Sequence, residues 1–239
     1  MIGPYCGRMP SGIRVVSVVD AIADNLRDAI LGGELLPGTA LTETDVATRF
    51  EVARPTAKAA IEKLVGDMLL ERPNHKTARV RRLGPEDVRD IYRTRATIES
   101  EVLRQLAIKR LVPAGTREAN TEIKAAPDSS AFSVVKPDMA FHTALIDGIG
   151  SVRTSRLYRS LASEVTLCMA QVQGRHLLDT KMITAEHDGL LDLVGAGDGA
   201  GAAALLDIHL SRARERLVGA LGGTPGPEAD LELTVPLAH

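Results

Sequence analysis

The chain has 239 residues, carries a formal net charge of −2 and is 44% hydrophobic. This length is sufficient for one large domain or two medium-sized domains with a substantial core. Only 3% of the residues are aromatic and none is tryptophan, so the core must be built from Leu, Ile, Val and Ala, which favours packed helices over a β-sandwich.

Signals for a membrane span or for secretion are missing from the sequence pattern. No apolar run approaches the ~18 residues that a membrane-spanning helix requires. Residues 1–12 lack the long apolar segment of a secretory signal. The two cysteines, Cys6 and Cys168, are too few for a disulfide framework. We therefore expect a cytoplasmic protein with free thiols and no membrane partner.

The N-terminal segment contains a predicted tail and one helix. Residues 1–12 include two Pro and three Gly, which predicts a flexible tail. From Ile13 onwards, apolar residues recur at helical spacing as far as Ile30. Gly32 and Gly33 then predict the end of this helix.

Two short helices separated by a turn are predicted next. Thr42 precedes two acids, so its hydroxyl can cap the first of these helices. Residues 51–53 form the predicted turn, and the second helix is expected from Arg54 to about Asp67. Its expected inward face consists of Ala57, Ala60, Ile61 and Leu64. The side chains left facing outward near its N-terminus are those of Arg54, Thr56 and Lys58. In helix-turn-helix proteins, this end of the second helix enters the major groove.

A wing of two short strands is predicted after this helix, at residues 69–72 and 77–82, with its tip at residues 73–76. The side chains expected to contact DNA from the wing are those of His75, Lys76 and Arg79. Between residues 49 and 82 there are nine Lys and Arg against four acids, whereas the whole chain is slightly acidic. A solvated charged face could also explain such a run, but the preceding helix pattern favours contact with phosphates. Residues 13–83 are therefore predicted to form a winged helix-turn-helix domain that binds double-stranded DNA.

Only helical patterns follow the joint at residues 83–85. Pro85 opens a long helix that is expected to extend to about Leu111. Later helices are predicted at residues 114–126, 131–149, 152–179, 181–195 and 198–221. We therefore predict a mainly α protein, in which residues 84–222 form an all-α helical bundle. Residues 223–239 contain Gly, Pro and acids but no Lys or Arg, and are expected to be disordered.

One carboxylate and three histidines lie on apolar helix faces in this bundle. They are Asp138, His142, His187 and His209. A single inward-facing His is more often a hydrogen-bonded core residue than a metal ligand. Four such groups on three helices favour a shared divalent cation, because a cation would satisfy all of them at once. One carboxylate oxygen and three imidazole nitrogens suit Zn²⁺, Ni²⁺, Mn²⁺ or Fe²⁺.

The same set of ligands leaves a catalytic alternative open, since a metal-bound water can become a nucleophile. A convincing general base is not evident: Glu186 adjoins His187 but is expected to point about 100° away from it on the helix. A metal-dependent enzyme that acts on small carboxylic acids, with an accessory DNA-binding module, is therefore the alternative to a DNA-binding regulator. A third possibility is that the histidines are purely structural.

These patterns together resemble the GntR family of transcriptional regulators, and within it the FadR-like subgroup with an all-helical, FCD-type C-terminal domain. The resemblance covers about residues 13–221. It is carried in the N-terminal part by the strings LRDAILGGELLPGTALTETDVATRFEVAR and KAAIEKLVGDMLLERP. In the C-terminal part it is carried by DVRDIYRTRATIE, DMAFHTALID, ITAEHDGLLDLVGAGD and IHLSRARERL.

The resemblance also identifies departures at the DNA-contacting positions. Ala53 replaces the Ser that caps the recognition helix in the family, which should cost about 1 kcal/mol of local helix stability. Lys58 replaces a second arginine and cannot repeat its two-pronged contact with a guanine edge. Thr77 stands where the wing tip usually has Gly. Thr44 falls where some relatives place an arginine that contacts DNA.

The resemblance implies that Asp138, His142, His187 and His209 hold a divalent cation, which helps to bind a small organic acid effector. Arg95 occupies the family's inward-facing arginine position and is a candidate anchor for the effector's carboxylate. The alternative for Arg95 is a buried pair with Glu99 on the same helix. A homodimeric, metabolite-responsive repressor that binds a near-palindromic operator is therefore expected.

Overall fold

The first helix among the described residues begins at Val18. In the computed structural model, the described residues are 17–73, 76–126, 131–172, 177 and 179–230, with the backbone alone at 131–132. Helix α1 spans Val18–Leu31. Ser17 has an extended backbone and accepts a hydrogen bond from the Asp20 amide, which fixes the start of the helix. The predicted flexible tail and the predicted start at Ile13 lie outside the described residues.

A winged helix-turn-helix follows α1. Its elements are β1 (Ala40–Leu41), α2 (Glu43–Arg49), α3 (Arg54–Gly66), β2 (Leu70–Glu71) and β3 (Ala78–Val80). Thr42 caps α2 as predicted, by accepting from the Asp45 amide at 3.0 Å. The four residues expected on the inner face of α3 are all buried.

The wing sheet contains one strand that the sequence pattern did not predict. The strand order is β1-β3-β2 and both pairs are antiparallel, with Ala40 opposite Arg79 and Leu70 opposite Val80. Strand β1 has only two residues, which is too short for an alternating pattern to be recognised. Residues 40 and 41 form a strand because they pair with the backbone of β3.

Six α-helices make up most of the second part of the chain, counted over the residues that the structure describes. They are α4 (Pro85–Lys109), α5 (Ala114–Ala125), α6 (Ala131–Gly148), α7 (Val152–Gln171), α8 (Thr180–Ala196) and α9 (Gly199–Ala220). Helix α4 packs against α6, α7, α8 and α9, and a continuous apolar core joins this bundle to the winged module. The predicted fold class, a winged helix-turn-helix followed by an all-α bundle, is confirmed. No helix among the described residues combines the length and the apolar character that a membrane crossing requires.

Helix α7 ends earlier than predicted. The predicted helix extended to residue 179, whereas α7 ends at Gln171. Asp179 has instead an extended backbone and caps α8, by accepting hydrogen bonds from the amides of Lys181 and Met182. A residue that caps the next helix cannot continue the previous one, and this was not evident from apolar spacing alone.

The prediction of disorder from residue 223 onwards is wrong for residues 223–230. A short 3-10 helix spans Pro227–Asp230 and packs against α9. The Gly226 amide donates to Glu215 Oε2 at 2.8 Å, and Arg216 Nε donates to the Ala229 carbonyl at 3.0 Å. Composition predicted disorder because it does not reveal that charged groups on α9 satisfy the backbone of this segment. Residues 231–239 lie outside the described residues.

Two side-chain interactions fasten the winged module to α7. Arg81, just after β3, pairs with Glu164 on α7 at 2.6 Å, and both side chains are largely buried. The Gln171 side chain accepts from the Leu83 amide at 3.2 Å and donates to the Leu83 carbonyl at 3.4 Å. The joint between the two parts of the chain is therefore held by specific polar contacts as well as by apolar packing.

The uncapped start of α3 generates a prediction about stability. Ala53 has the extended backbone of an N-cap residue but makes no side-chain capping hydrogen bond. Replacing it with Ser (Ala53→Ser) should raise the free energy of unfolding by about 0.5–1 kcal/mol, because the new hydroxyl can also accept from the Thr56 amide, which donates to the Ala53 carbonyl at 2.9 Å. Chemical denaturation of the full chain measures the change. Ala59→Ser, on the exposed side of the same helix, should give no gain, and equal effects of the two substitutions would contradict the capping argument.

Candidate metal centre and nucleic-acid interface

Three helices bring the four predicted metal ligands together. Asp138 and His142 lie one turn apart on α6, whereas His187 comes from α8 and His209 from α9. Each of the four offers one ligand atom, and all these atoms lie within 4.8 Å of one another. His187 Nε2 is 3.6 Å from Asp138 Oδ1. The i,i+4 spacing on α6 places its two groups on one face, which points to the other helices.

Each histidine ring is oriented by a hydrogen bond from its Nδ1. His142 Nδ1 donates to Glu99 Oε2 at 2.7 Å, and His209 Nδ1 donates to Glu186 Oε2 at 2.9 Å. His187 Nδ1 lies 3.2 Å from Asn120 Oδ1. These oxygens accept the Nδ1 proton, so each neutral ring has its free lone pair on Nε2, the nitrogen that can bind a metal.

None of these three partners was predicted from the sequence. Glu186 was expected to point away from His187, which is correct, but it contacts His209 on the neighbouring helix instead. Glu99 was considered only as a partner of Arg95. The position of Glu99 on the apolar face of its helix could have predicted further partners, because a buried acid needs hydrogen-bond donors. Asn120 on α5 carried no comparable signal.

Several polar atoms that face the centre of this cluster have no hydrogen-bond partner in the part of the chain that the structure describes. They are Asp138 Oδ1, His142 Nε2 and His187 Nε2, all of them buried. An unpartnered buried polar atom costs about 1–3 kcal/mol, and a divalent cation coordinated by these atoms would remove that cost. The residues present therefore fit a divalent cation of the kind that imidazole and carboxylate ligands prefer.

Burial keeps two of the rings in the form that binds metals. Burial lowers the pKa of His142 and lowers that of His187 well below its ordinary value, so both rings are neutral near pH 7. Burial alone would raise the pKa of Glu99, but Arg95 and His142 beside it hold that pKa below its usual range. Glu99 is therefore an ionised acceptor for the His142 ring.

The structure shows that the two alternatives for Arg95 are compatible. Arg95 is 2% exposed, and its Nε donates to Glu99 Oε1 at 2.8 Å, so the predicted pair within α4 is formed. The Tyr158 hydroxyl donates to the same oxygen at 2.7 Å. Arg95 also lines a cavity, and its buried Nη2 atom has no hydrogen-bond partner among the described residues. This donor remains available for an anion in the cavity.

The cavity adjoins Asp138 and His209 of the metal-type cluster, and its open space is small, about 40 Å³. Its polar lining consists of Tyr92, Arg95, Asp138, Asp179, Glu186, His209, Arg212 and Arg216. Its apolar lining consists of Val135, Val165, Met169, Leu177, Met182, Ile183 and Ala213. Because Asp138, His209 and Arg95 share this cavity, a small ligand in it can contact both the cation site and the arginine.

A second group of predicted residues meets at an open groove in the winged module. Thr44 at the start of α2, Arg54 at the start of α3 and Lys76 in the wing all line this groove. Lys58 is exposed one turn further along α3, and Thr56 is half-buried. His75 lies outside the described residues. The groove thus combines the N-terminal end of the recognition helix with the wing.

The structure also shows which basic side chains are engaged within the protein. Arg72 pairs with Glu62 at 3.0 Å and lies 3.6 Å from Glu43, and Arg81 pairs with Glu164 on α7. Arg79 is exposed, and its Nη1 donates to the Gly38 carbonyl at 3.0 Å. The local positive charge counted from the sequence therefore overstates the charge that is free to meet phosphates.

Two family models match the chain, and together they cover most of it. Residues 18–80 match the model described as bacterial regulatory proteins, gntR family, and residues 90–212 match the FCD domain. The curated relative BphR of Paraburkholderia xenovorans, described as an uncharacterized HTH-type transcriptional regulator, is 26% identical over 205 residues, which cover 82% of this chain and 83% of BphR. MngR of Escherichia coli, described as a mannosyl-D-glycerate transport/metabolism system repressor, is 47% identical over 51 residues, or 21% of each chain.

This chain aligns with solved structures of similar fold over nearly the whole length of those proteins. A protein described as a GntR transcriptional regulator from Rhodococcus sp. RHA1 has a TM-score of 0.71 and 27% identity, with 84% of this chain and 98% of that chain covered. McbR/YncC of E. coli has a TM-score of 0.68 and 17% identity, with 86% and 99% covered; this second likeness concerns the fold alone.

These matches favour a regulator over the alternative of a metal-dependent enzyme. The gntR-family model describes bacterial regulatory proteins, and the similar proteins are described as transcriptional regulators, not as enzymes. The N-terminal match implies DNA binding. The chain belongs to the GntR family of bacterial transcriptional regulators, with a winged helix-turn-helix followed by an FCD domain.

Proposed function

We propose that the protein is a metabolite-responsive repressor, which binds its operator as a homodimer and binds a divalent cation together with a small organic acid. The observation that carries this proposal is the inward-facing set of one carboxylate and three imidazoles beside Arg95 in a single cavity. The winged module is similar to part of MngR, which is named a repressor, and this supports repression rather than activation.

In the FCD domain, Asp138, His142, His187 and His209 would hold Zn²⁺, Ni²⁺, Mn²⁺ or Fe²⁺. Four protein ligands leave positions for an oxygen ligand on a cation that accepts more than four. The free Nη2 of Arg95 can donate to the same carboxylate, because guanidinium and carboxylate form strong charge-assisted hydrogen bonds. The acid would thus bridge the cation and Arg95.

In the winged module, the N-terminal end of α3 would enter the major groove. Arg54, Thr56 and Lys58 would contact bases and phosphates there. The groove lined by Thr44, Arg54 and Lys76 would follow the DNA backbone, while His75 and Arg79 would contact DNA from the wing. A two-fold dimer presents two such modules, which explains why a near-palindromic operator is expected.

Helix α7 would connect the two binding events. Val165 and Met169 line the cavity, while Glu164 and Gln171 on the same helix hold the winged module through Arg81 and Leu83. An acid that favours one position of α7 would therefore favour one placement of the winged module, which is a shift between existing populations.

The metal assignment predicts a loss of metal when one ligand is removed. Asp138→Ala should lower the affinity for the divalent cation roughly tenfold or more, because a charged ligand is lost from a buried site. Elemental analysis of purified protein and competition with a chelator measure the effect. Asp147→Ala, an exposed acid on the same helix, should retain the metal. If the parent protein purifies without any metal and takes none up, the histidines are structural.

The groove assignment predicts a loss of sequence selectivity. An operator is first obtained by selecting bound sequences from a random DNA pool. Arg54→Ala should then weaken binding to this operator by roughly 5- to 150-fold relative to unrelated DNA, since a base contact is worth about 1–3 kcal/mol. Arg93→Ala, an exposed arginine on α4, serves as the control. An Arg54→Ala variant that selects the same sequence as the parent would show that α3 does not enter the groove in this way.

The role of α7 predicts a loss of communication between the two sites. Glu164→Gln should leave metal content and acid binding unchanged, but should bring the ratio of operator affinities with and without a bound acid towards unity. The exchange of charges in Arg81→Glu with Glu164→Arg should restore part of that ratio. Glu101→Gln, an exposed acid on α4, should have no effect. A normal ratio in Glu164→Gln would exclude this ion pair from the communication.

A further inference from the structure

We propose that Arg72 is a positioning residue for DNA binding, which fixes the wing relative to the recognition helix and makes no contact with DNA phosphates itself. Two carboxylates, those of Glu43 on α2 and Glu62 on α3, hold its guanidinium. The inference rests on the proposed groove between α3 and the wing, and it assigns the side chains that keep the two sides of that groove together.

A single guanidinium connects the wing to both helices of the helix-turn-helix. Arg72 directly follows β2, and its Nη1 lies 3.0 Å from Glu62 Oε1. The same Nη1 atom lies 3.6 Å from Oε1 of Glu43, the first residue of α2. Arg72 lines the groove together with Arg54 at the start of α3 and Lys76 in the wing. The ion pairs therefore join the two sides of the groove on which DNA-contacting side chains are proposed.

Backbone pairing by itself holds the wing weakly. Strand β2 has two residues, and Leu70 and Glu71 are the residues that pair it with β3. A hairpin of this length is at best marginally stable on its own. Among the described residues, the register of this pair ends at Glu71 on the side of the wing tip. Lys76 lies beyond that point, so its position over the groove depends on side-chain contacts such as those of Arg72.

The charges around Arg72 suit a structural role rather than contact with a phosphate. Its side chain is 23% exposed, and its Nε atom is buried, so the guanidinium lies against the protein. The carboxylates of Glu43 and Glu62 outnumber this one cation. The group as a whole is therefore acidic and offers no net attraction to a phosphate.

Removing the Glu62 carboxylate tests the inference by the sign of its effect. Loss of an acid from a DNA-binding module should tighten binding on electrostatic grounds, because DNA is a polyanion. Since Glu62 holds Arg72 and thereby the wing, Glu62→Ala should instead weaken binding to the operator selected from the random DNA pool, by at least roughly threefold. Fluorescence anisotropy with labelled operator DNA and the full-length protein measures the change. Glu71→Ala, at an exposed acid beside Arg72, is the matched control and should leave binding unchanged or tighten it.

A double-substitution cycle separates positioning from direct contact. In the parent protein, Lys76→Ala should weaken operator binding and reduce the slope of log affinity against log salt by about 0.9, as the loss of one phosphate contact does. In an Arg72→Gln protein, whose wing is no longer fixed, Lys76→Ala should have little further effect on either quantity. Lys58→Ala, on α3 and outside the wing, should weaken binding by the same factor in both backgrounds. This comparison distinguishes displacement of the wing from a general loosening of the module.

The outcomes distinguish this inference from the proposed function. If Glu62→Ala tightens binding, the ion pair does not position the wing and the inference is wrong. It is also wrong if Arg72→Gln and Lys76→Ala weaken binding independently and each reduces the salt slope by about 0.9, because Arg72 is then a phosphate contact. An Arg72→Gln background that abolishes the effect of Lys58→Ala as well would show general loosening and overturn it too. If Lys76→Ala has no effect in the parent protein, the proposed groove is wrong and the inference fails with it. Should Arg72→Gln fail to fold, as judged by circular dichroism, Glu62→Ala takes its place in the cycle.

Discussion

The interaction on which this structure most depends is the hydrogen bond between each buried imidazole and an oxygen on another helix. Glu99 on α4, Asn120 on α5 and Glu186 on α8 each accept from one Nδ1. These bonds join five helices of the bundle around one point and direct every Nε2 towards the same centre. The same arrangement of helices therefore determines both the packing of the bundle and the geometry of the candidate cation site.

The buried charges in this region are difficult to explain by stability alone. Arg95 and Glu99 are nearly inaccessible, and so are Arg212 and Glu186. Replacing such pairs with apolar side chains is often neutral or stabilising, because removing charges from water is costly. Under the proposed function, these pairs would prepare a polar end of the cavity for the acid. The pairs hold donors and acceptors in place before the ligand arrives, which reduces the ordering that binding requires.

The winged module and the FCD domain are coupled by contacts that are few and directional. A cationic side chain, Arg81, that the sequence places in a DNA-binding wing is instead used to hold the module on α7. Because α7 also lines the cavity, a small displacement of this helix would directly move the winged module that it holds. Packed helices favour discrete arrangements rather than continuous deformation, so a modest ligand can select between placements of the module.

Local patterns in the sequence determined the helices, the Thr42 cap, the inner face of α3 and the set of four side chains that meet in the bundle. These features follow from spacing along one element, which the sequence displays directly. Tertiary structure alone decided that β1 forms, where α7 ends, that residues 223–230 are ordered, and which groups partner the histidines. It also decided that Arg81 pairs with Glu164 on α7. Each of these depends on a group that is distant in sequence, and a pattern within one element carries no information about which distant group will satisfy a buried or exposed polar atom.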